Sequence, residues 1–297
     1  MKEVVQLAPE VAEALRHRSP VVALETTLVA HGFPGEEGVA VAIESERRVR
    51  EAGAVPATVG VLDGLVRVGL TEAELGRFGP EARKVGPRDL AACAVQGAVG
   101  ATTVGGTLAV CRVAGIGFMG TGGLGGVHRG FPQALDVSAD LGELARSEVL
   151  VVSSGIKSLL DVPATCELLE TLGIPVLGWR TDEVPLFYQA HGGPPVSARV
   201  ESAREAAEIA RAHWQLGRRS ALVLANPPAE SLDDIEPLIE RALDRAAAQG
   251  VSGQAVTPFV LDFLHRESGG RTLASNARLI ADNAGLAAEV AGAFTRR

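Results

Sequence analysis

Short apolar runs alternate along this chain with longer stretches in which apolar residues recur every three or four positions. PVVALETT (20–27) is a run of strand type that ends in a polar cluster. GEEGVAVAIESERRVREAG (35–53) has helical spacing, with acids at its start, arginines near its end and Gly53 after it. That order complements a helix dipole. ATVGVLDGLVRVG (57–69) sets two apolar runs about Asp63-Gly64, which predicts a hairpin. TEAELGRFG (71–79) opens on an N-capping threonine and predicts a short helix, and PRDLAACAVQG (87–97) predicts another.

From there the two patterns take turns. ATTV (101–104) precedes a glycine-opened helix over 105–115, then a strand over 115–119 and a glycine-rich loop, GTGGLGGVHRG (120–130). A capped helix is predicted over 138–147, a strand over 148–154, a helix over 159–173 and a strand over 174–179. An amphipathic helix (202–217) and a strand (220–228) follow, and the chain from about 231 is helical with a break at SGQAVTPF. No shift of composition marks a linker, and no repeat is present. The expectation is one α/β domain over 1–297, three layers deep (α/β/α), with a mostly parallel central sheet. In such sheets the active groups gather beyond the C-terminal strand ends. That selects Glu25 to Thr27, Thr102 and Thr103, Gly120 to His128, Ser153 to Lys157, and Asn226.

Composition narrows the function. A net charge of −8 offers no long-range attraction to nucleic acid or an anionic membrane. Three cysteines without metal spacing, among apolar residues, read as small buried hydrophobes in a reducing compartment. No apolar run approaches a membrane span, and no leader pattern opens the chain, so a soluble cytoplasmic protein is expected.

The basic residues are lopsided. Of 28 lysines and arginines only Lys2, Lys84 and Lys157 are lysine. A chain that uses arginine so widely keeps an interior lysine most sensibly for what guanidinium cannot do, which is lose a proton and attack a carbonyl carbon. Lys157 stands in SSGIKSLLD, at a strand-to-helix corner. Its ordinary role would be an ion pair with Asp161, one helical turn on. Its chemical role would be that of a Schiff-base nucleophile, with Lys84 as a neighbouring cation or a phosphate ligand. Glu25 is either a strand-end carboxylate paired or capping, or a general acid or base in a partly dry cleft.

GTGGLGGVHRG is neither a dinucleotide fingerprint nor a phosphate loop of the lysine-serine kind. Its glycines allow close backbone approach to a ligand, and His128 stands at its end. In LDVSADL, Asp136, Ser138 and Asp140 alternate before a helix. They read as a cap with dipole support, or as one or two carboxylates for a hard divalent cation otherwise held by water. No Cys/His cluster fits structural zinc.

Taken in order, PVVALETTLVAHGFP, KVGPRDL, GATTVGGTL, GTGGLGGVHRG, DVSADLGELA, SSGIKSLLDVPATCELLETLGIPVLGW, ANPPAE and SNARLIADNA resemble the pseudouridine-5′-phosphate glycosidase (pseudouridylate synthase) family, over about 9 to 293. The resemblance implies an α/β/α homotrimer that reversibly cleaves the carbon–carbon glycosidic bond of pseudouridine 5′-phosphate to uracil and ribose 5-phosphate. It implies Lys157 as the covalent lysine, Glu25 as the acid, His128 as an active-site histidine and Asp136 as the carboxylate for Mn²⁺. It further implies substrate contacts from Lys84, from Thr102, Thr103 and Val104, from Ser138, Ala139 and Asp140, and from Asn276 on the phosphate side. KVGPRDL carries Pro87 where the family pattern has an arginine. Two other classes use parts of the same pattern: a Schiff-base aldolase for another sugar phosphate, and a non-catalytic sugar-phosphate sensor.

Overall fold

The computed structural model describes residues 4–129, 136–251 and 253–296; Lys2, Gly130 and Ser252 lie outside the described residues. The chain opens with β1 (Val5–Leu7), α1 (Pro9–Arg16), β2 (Val21–Glu25), α2 (Thr27–His31) and α3 (Glu37–Glu51). The hairpin β3 (Val55–Leu62) and β4 (Leu65–Val68) turns at Asp63-Gly64, as the sequence predicts, with Leu62 opposite Leu65. Then come α4 (Glu72–Leu75), β5 (Arg83–Val85), α5 (Leu90–Val95), β6 (Gly100–Thr102), α6 (Val104–Ala114) and β7 (Phe118–Gly120). The second half holds α7 (Ala139–Leu144), β8 (Leu150–Ser153), α8 (Val162–Thr171), β9 (Val176–Trp179), β10 (Ala198–Val200), α9 (Ala203–Gln215) and β11 (Leu222–Ala225). Three helices close the chain: α10 (Glu236–Ala248), α11 (Val256–Glu267) and α12 (Arg271–Thr295). Of the predicted break at SGQAVTPF, Gly253–Ala255 form a short 3₁₀ turn between α10 and α11, while Val256 to Phe259 already belong to α11.

All described strands join one sheet, in the order β1-β4-β3-β2-β7-β8-β11-β9-β10, with β6 on β3 and β5 on β6. Only the β3–β4 and β3–β6 pairs are antiparallel. The sheet is buried on both faces, and the strands show how. Val22 and Leu24 of β2, Phe118 of β7, Leu150 and Val152 of β8, and Leu222 and Leu224 of β11 pack with Val49 of α3, Ala206 and Ala210 of α9, and Ala284, Ala287 and Ala291 of α12. Their alternate neighbours Val21, Ala23, Met119, Val151 and Val223 pack instead with Leu108 of α6, Leu141 and Leu144 of α7, and Leu169 of α8. A strand whose residues are apolar without alternation must be covered on both sides, which makes the three layers. The alanines let α12 and α9 lie close to the sheet, in keeping with a core low in aromatics.

The register places the strand ends side by side. Leu24 lies opposite Gly120, and Gly120 opposite Val152, so Glu25, Thr121 and Ser153 follow at adjacent ends of β2, β7 and β8. Cys93, Cys111 and Cys166 are free thiols on α5, α6 and α8, and burial pushes the Cys111 thiol up to about 12. Among the described residues no helix is long and apolar enough to cross a membrane.

Candidate active site

Beyond β7 and β8 the parallel pairing continues into two loops. Thr121 N–H donates to the Val152 carbonyl (3.0 Å), Ser154 N–H to Gly122 (2.8 Å), Leu124 N–H to Gly155 (3.0 Å) and Lys157 N–H to Leu124 (3.2 Å). The glycine loop therefore runs as an extra strand-like edge along the lysine corner. On its other side Phe187 N–H donates to the Ser154 carbonyl at 3.0 Å. Gly155 takes φ of 75°, and a Cβ there would strike the carbonyl of Pro185. The corner that carries Lys157 is thus held from both sides, and only glycine fits its turn.

Lys157 does not pair with Asp161 among the described ion pairs. α8 starts at Val162 rather than at 159, and Asp161 is its N-cap, with Oδ1 accepting the Ala164 N–H at 3.0 Å. The capping requirement of the helix end consumes the carboxylate that was expected to face the lysine.

A cleft of about 870 Å³ opens over these strand ends. It is lined by Glu25, Lys84, Thr103, Val104, His128, Asp136, Ser138, Ala139, Asp140, Lys157 and Asn276. All eleven are among the expected site residues, Val104, Ala139 and Asn276 through the family resemblance alone. Thr102 is the exception: it is sealed in the core, its hydroxyl donating to the Val59 carbonyl (2.7 Å) and accepting from Thr107 (3.0 Å). Thr103 caps α6 by accepting the Gly106 N–H at 3.1 Å, and Ser138 caps α7. Asn276 is buried on α12.

Glu25 is 7% exposed. Burial raises its carboxyl above the ordinary carboxylate range, against the opposing pull of Lys157, the Thr121 hydroxyl and Lys84. Lys84, on β5, is pushed down to about 8 by burial, with Lys157 adding like-charge repulsion. A carboxyl raised by burial and two lysines within electrostatic reach of it are the parts of a proton-transfer site. Burial also lowers His128, which Asp136 opposes; its Nδ1 stands 3.8 Å from Asp136 Oδ2.

Asp140 lines the cleft and also has a structural part. Oδ1 accepts the Gly105 N–H at 2.7 Å and Oδ2 the Gly125 N–H at 3.0 Å, so its carboxylate ties α6 to the glycine loop. Among the described residues no three His, Cys, Asp or Glu side chains converge for an all-protein metal cage. Asp136, 30% exposed in its side chain, offers one carboxylate to the cleft. That donor set suits a hard cation that keeps most of its water and does not suit structural zinc.

Three residues of the site gain roles that the sequence did not assign them, Thr121 within the selected glycine loop and Asn283 and Phe187 outside the selected strand ends. Thr121 donates its hydroxyl to Glu25 Oε1. Asn283 on α12 donates to the carbonyls of Thr121 (2.8 Å) and Gly122 (3.3 Å) and accepts from Asn226 at 2.9 Å, which draws the ends of β7 and β11 together. Its readable signal was a polar residue on the apolar stripe of a helix. Phe187 lines the cleft in a left-handed conformation, φ 63°, a strained state for a bulky side chain.

A mostly parallel sheet with an amine and a carboxyl raised by burial in a cleft over its strand ends defines an α/β enzyme with a site for a small polar substrate. The comparisons with known proteins narrow that class. The family described as indigoidine synthase A like protein matches residues 10–293. Curated relatives named pseudouridine-5′-phosphate glycosidase include one from Herpetosiphon aurantiacus, 47% identical over 97% of either chain. Another, from Escherichia coli K12, is 44% identical over 99% of this chain and 96% of its own. Among solved structures, the prealnumycin C-glycosynthase AlnA in complex with ribulose 5-phosphate superposes with a TM-score of 0.89 at 37% identity, covering 99% of this chain and 98% of that one. An indigoidine synthase A-like protein from Thermotoga maritima superposes at 0.88 with 38% identity, covering 99% and 97%. The chain belongs to the pseudouridine-5′-phosphate glycosidase family.

Proposed function

We propose that this enzyme converts pseudouridine 5′-phosphate and water reversibly into uracil and ribose 5-phosphate, through an imine between Lys157 and C1′ of the ring-opened ribose. The observation that carries the reading is the convergence, in one cleft, of a lysine on a braced strand-to-helix corner with a carboxyl that burial keeps above its ordinary range. The names of the relatives supply the substrate.

The bond to be broken joins C1′ to carbon C5 of the base, so the leaving atom has no lone pair to protonate, unlike the oxygen of an ordinary glycoside. A nitrogen on C1′ supplies the missing electron pair. In the proposed sequence the uncharged Nζ of Lys157 bonds to C1′ as the C1′–O4′ bond breaks and Glu25 gives its proton to O4′. Nζ, cationic after bonding, gives up a proton; the lone pair this restores forms the C1′=N bond while the C1′–C5 bond breaks, and the proton given up is available for C5. The electron pair of the broken bond passes to C5 and the adjoining carbonyl system of uracil, and C5 takes a proton. Water adds to the iminium carbon and returns free Lys157 and ribose 5-phosphate, so one water is consumed per turnover. Arginine has no place in this chemistry.

His128 is proposed to carry protons in the same cleft, and Lys84 and Asn276 to hold the substrate, with Ser138, Ala139 and Val104 shaping its seat. Asp136 would hold a divalent cation, Mn²⁺ on the family resemblance, whose chemistry is to neutralise phosphate or sugar oxygens. The enzyme is proposed to work in the cytoplasm, from its cysteine usage and charge pattern, and on the family resemblance as a homotrimer, which sedimentation of the active protein tests. The reaction itself is tested by mixing the protein with uracil, ribose 5-phosphate and Mn²⁺. Pseudouridine 5′-phosphate should form. Release of an aldehyde from a different sugar phosphate, with no nucleotide formed, would point to an aldolase instead.

A further inference from the structure

Thr121 is fully buried at the end of β7, in the row next to Glu25. Its backbone is held on two sides: the N–H donates to the Val152 carbonyl at 3.0 Å, and the carbonyl accepts from Asn283 at 2.8 Å. A β-branched side chain on so constrained a backbone has little rotamer freedom. Its hydroxyl is thereby aimed at one atom, Glu25 Oε1. Glu25 lines the cleft, and the side-chain hydrogen bond that Thr121 gives its carboxyl falls on Oε1.

We infer that Thr121 is a positioning residue for the acid: by donating to Oε1 it confines the transferable proton of Glu25 to Oε2, the oxygen it leaves to the substrate. A protonated carboxyl carries its proton on one oxygen and accepts at the other. With the accepting role of Oε1 fixed, the acid group is not divided between productive and unproductive forms. Asn283 belongs to the same device one step back, because it sets the place of Thr121 rather than touching Glu25. The inference rests on the reading of Glu25 as the general acid.

The hydroxyl also has a sign. Donation to a carboxylate favours the charged form, so Thr121 restrains the rise that burial imposes on Glu25. The charged groups that bear on Glu25 are Lys157 from the β8–α8 corner, Lys84 from β5 and Asp140 from α7, and Thr121→Val leaves all three in place. Valine is nearly isosteric with threonine, and Thr121→Ser keeps the hydroxyl while it loses a methyl group.

The test compares wild type, Thr121→Val, Thr121→Ser and Glu25→Gln by kcat and KM against pH, and follows the carboxyl of Glu25 by difference infrared spectroscopy. Thr121→Val is expected to lower kcat roughly 10- to 100-fold, a part of what a positioned acid contributes, with KM little changed. The infrared band of the protonated carboxyl should persist to higher pH than in wild type. Thr121→Ser should stay within about threefold of wild type, since it keeps the donor. Unchanged kcat and an unchanged carboxyl titration in Thr121→Val overturn the inference, as does an equal loss in Thr121→Val and Thr121→Ser, which would mark packing as the cause. Full turnover in Glu25→Gln would instead overturn the acid reading beneath it.

Discussion

Asp140 accepts the backbone N–H of Gly125 at 3.0 Å, and with its other oxygen that of Gly105 at 2.7 Å. The carboxylate occupies the place at the start of α6 where an anion would otherwise sit, and it fastens the glycine loop there. The loop can approach because Gly125 has no Cβ; one would press on Ser138 Oγ and come within 2.6 Å of Asp140 Oδ2.

Asp140→Asn should therefore cost stability as well as activity. The amide offers one acceptor where the carboxylate offers two, so a buried N–H is left facing an NH₂ group. The expected loss is about 1–3 kcal/mol in urea unfolding. An unchanged midpoint would show that Asp140 serves the substrate alone.

Lys84 predicts a pH dependence of folding. Its ordinary value is 10.5 and burial holds it at about 8 in the fold. Below about 8 the amine is charged in both states, and the fold bears the full cost of a buried charge. Between the two values the folded amine is neutral while the unfolded one keeps its proton, so stability rises with pH. Measured against Lys84→Met, wild type should gain on the order of 3 kcal/mol from pH 7.5 to 10.5. A flat difference across that range would contradict the depressed value.

A single carboxylate implies weak, reversible metal binding. Titration calorimetry should find Mn²⁺ binding that Asp136→Ala abolishes, and chelator should remove activity that added Mn²⁺ restores. Full turnover by Asp136→Ala in excess chelator would remove the metal from the account.

Much of this was legible along the chain because it depends on local spacing. The apolar runs gave β2, β8 and β11, and the Asp63-Gly64 pair gave the hairpin. Strand ends in turn pointed to Glu25 and Lys157. The sequence reading passed over β5 and β10, three-residue strands that carry arginines and exist through pairing to a neighbour. α2, a single turn or so from Thr27 to His31, is likewise too short for periodicity to register. Thr121 fell within the strand-end stretch and Asn283 stood out as a polar residue on an apolar stripe, but their partners lie 96 and 162 positions away, so no local pattern could give their roles. Of the two roles open to Lys157, the ion pair with Asp161 depended on a helix starting at 159; α8 starts three residues later, which makes Asp161 its cap.

The covalent role of Lys157 is the centre of the account, and borohydride trapping tests it most directly. Wild type incubated with ribose 5-phosphate and then reduced should gain one pentose phosphate, as a secondary amine, on the peptide that contains Lys157. Lys157→Arg should keep the fold, form no adduct and lose nearly all turnover, since guanidinium does not attack C1′ near neutral pH. An adduct confined to Lys84, or sustained turnover by Lys157→Arg, would contradict the account.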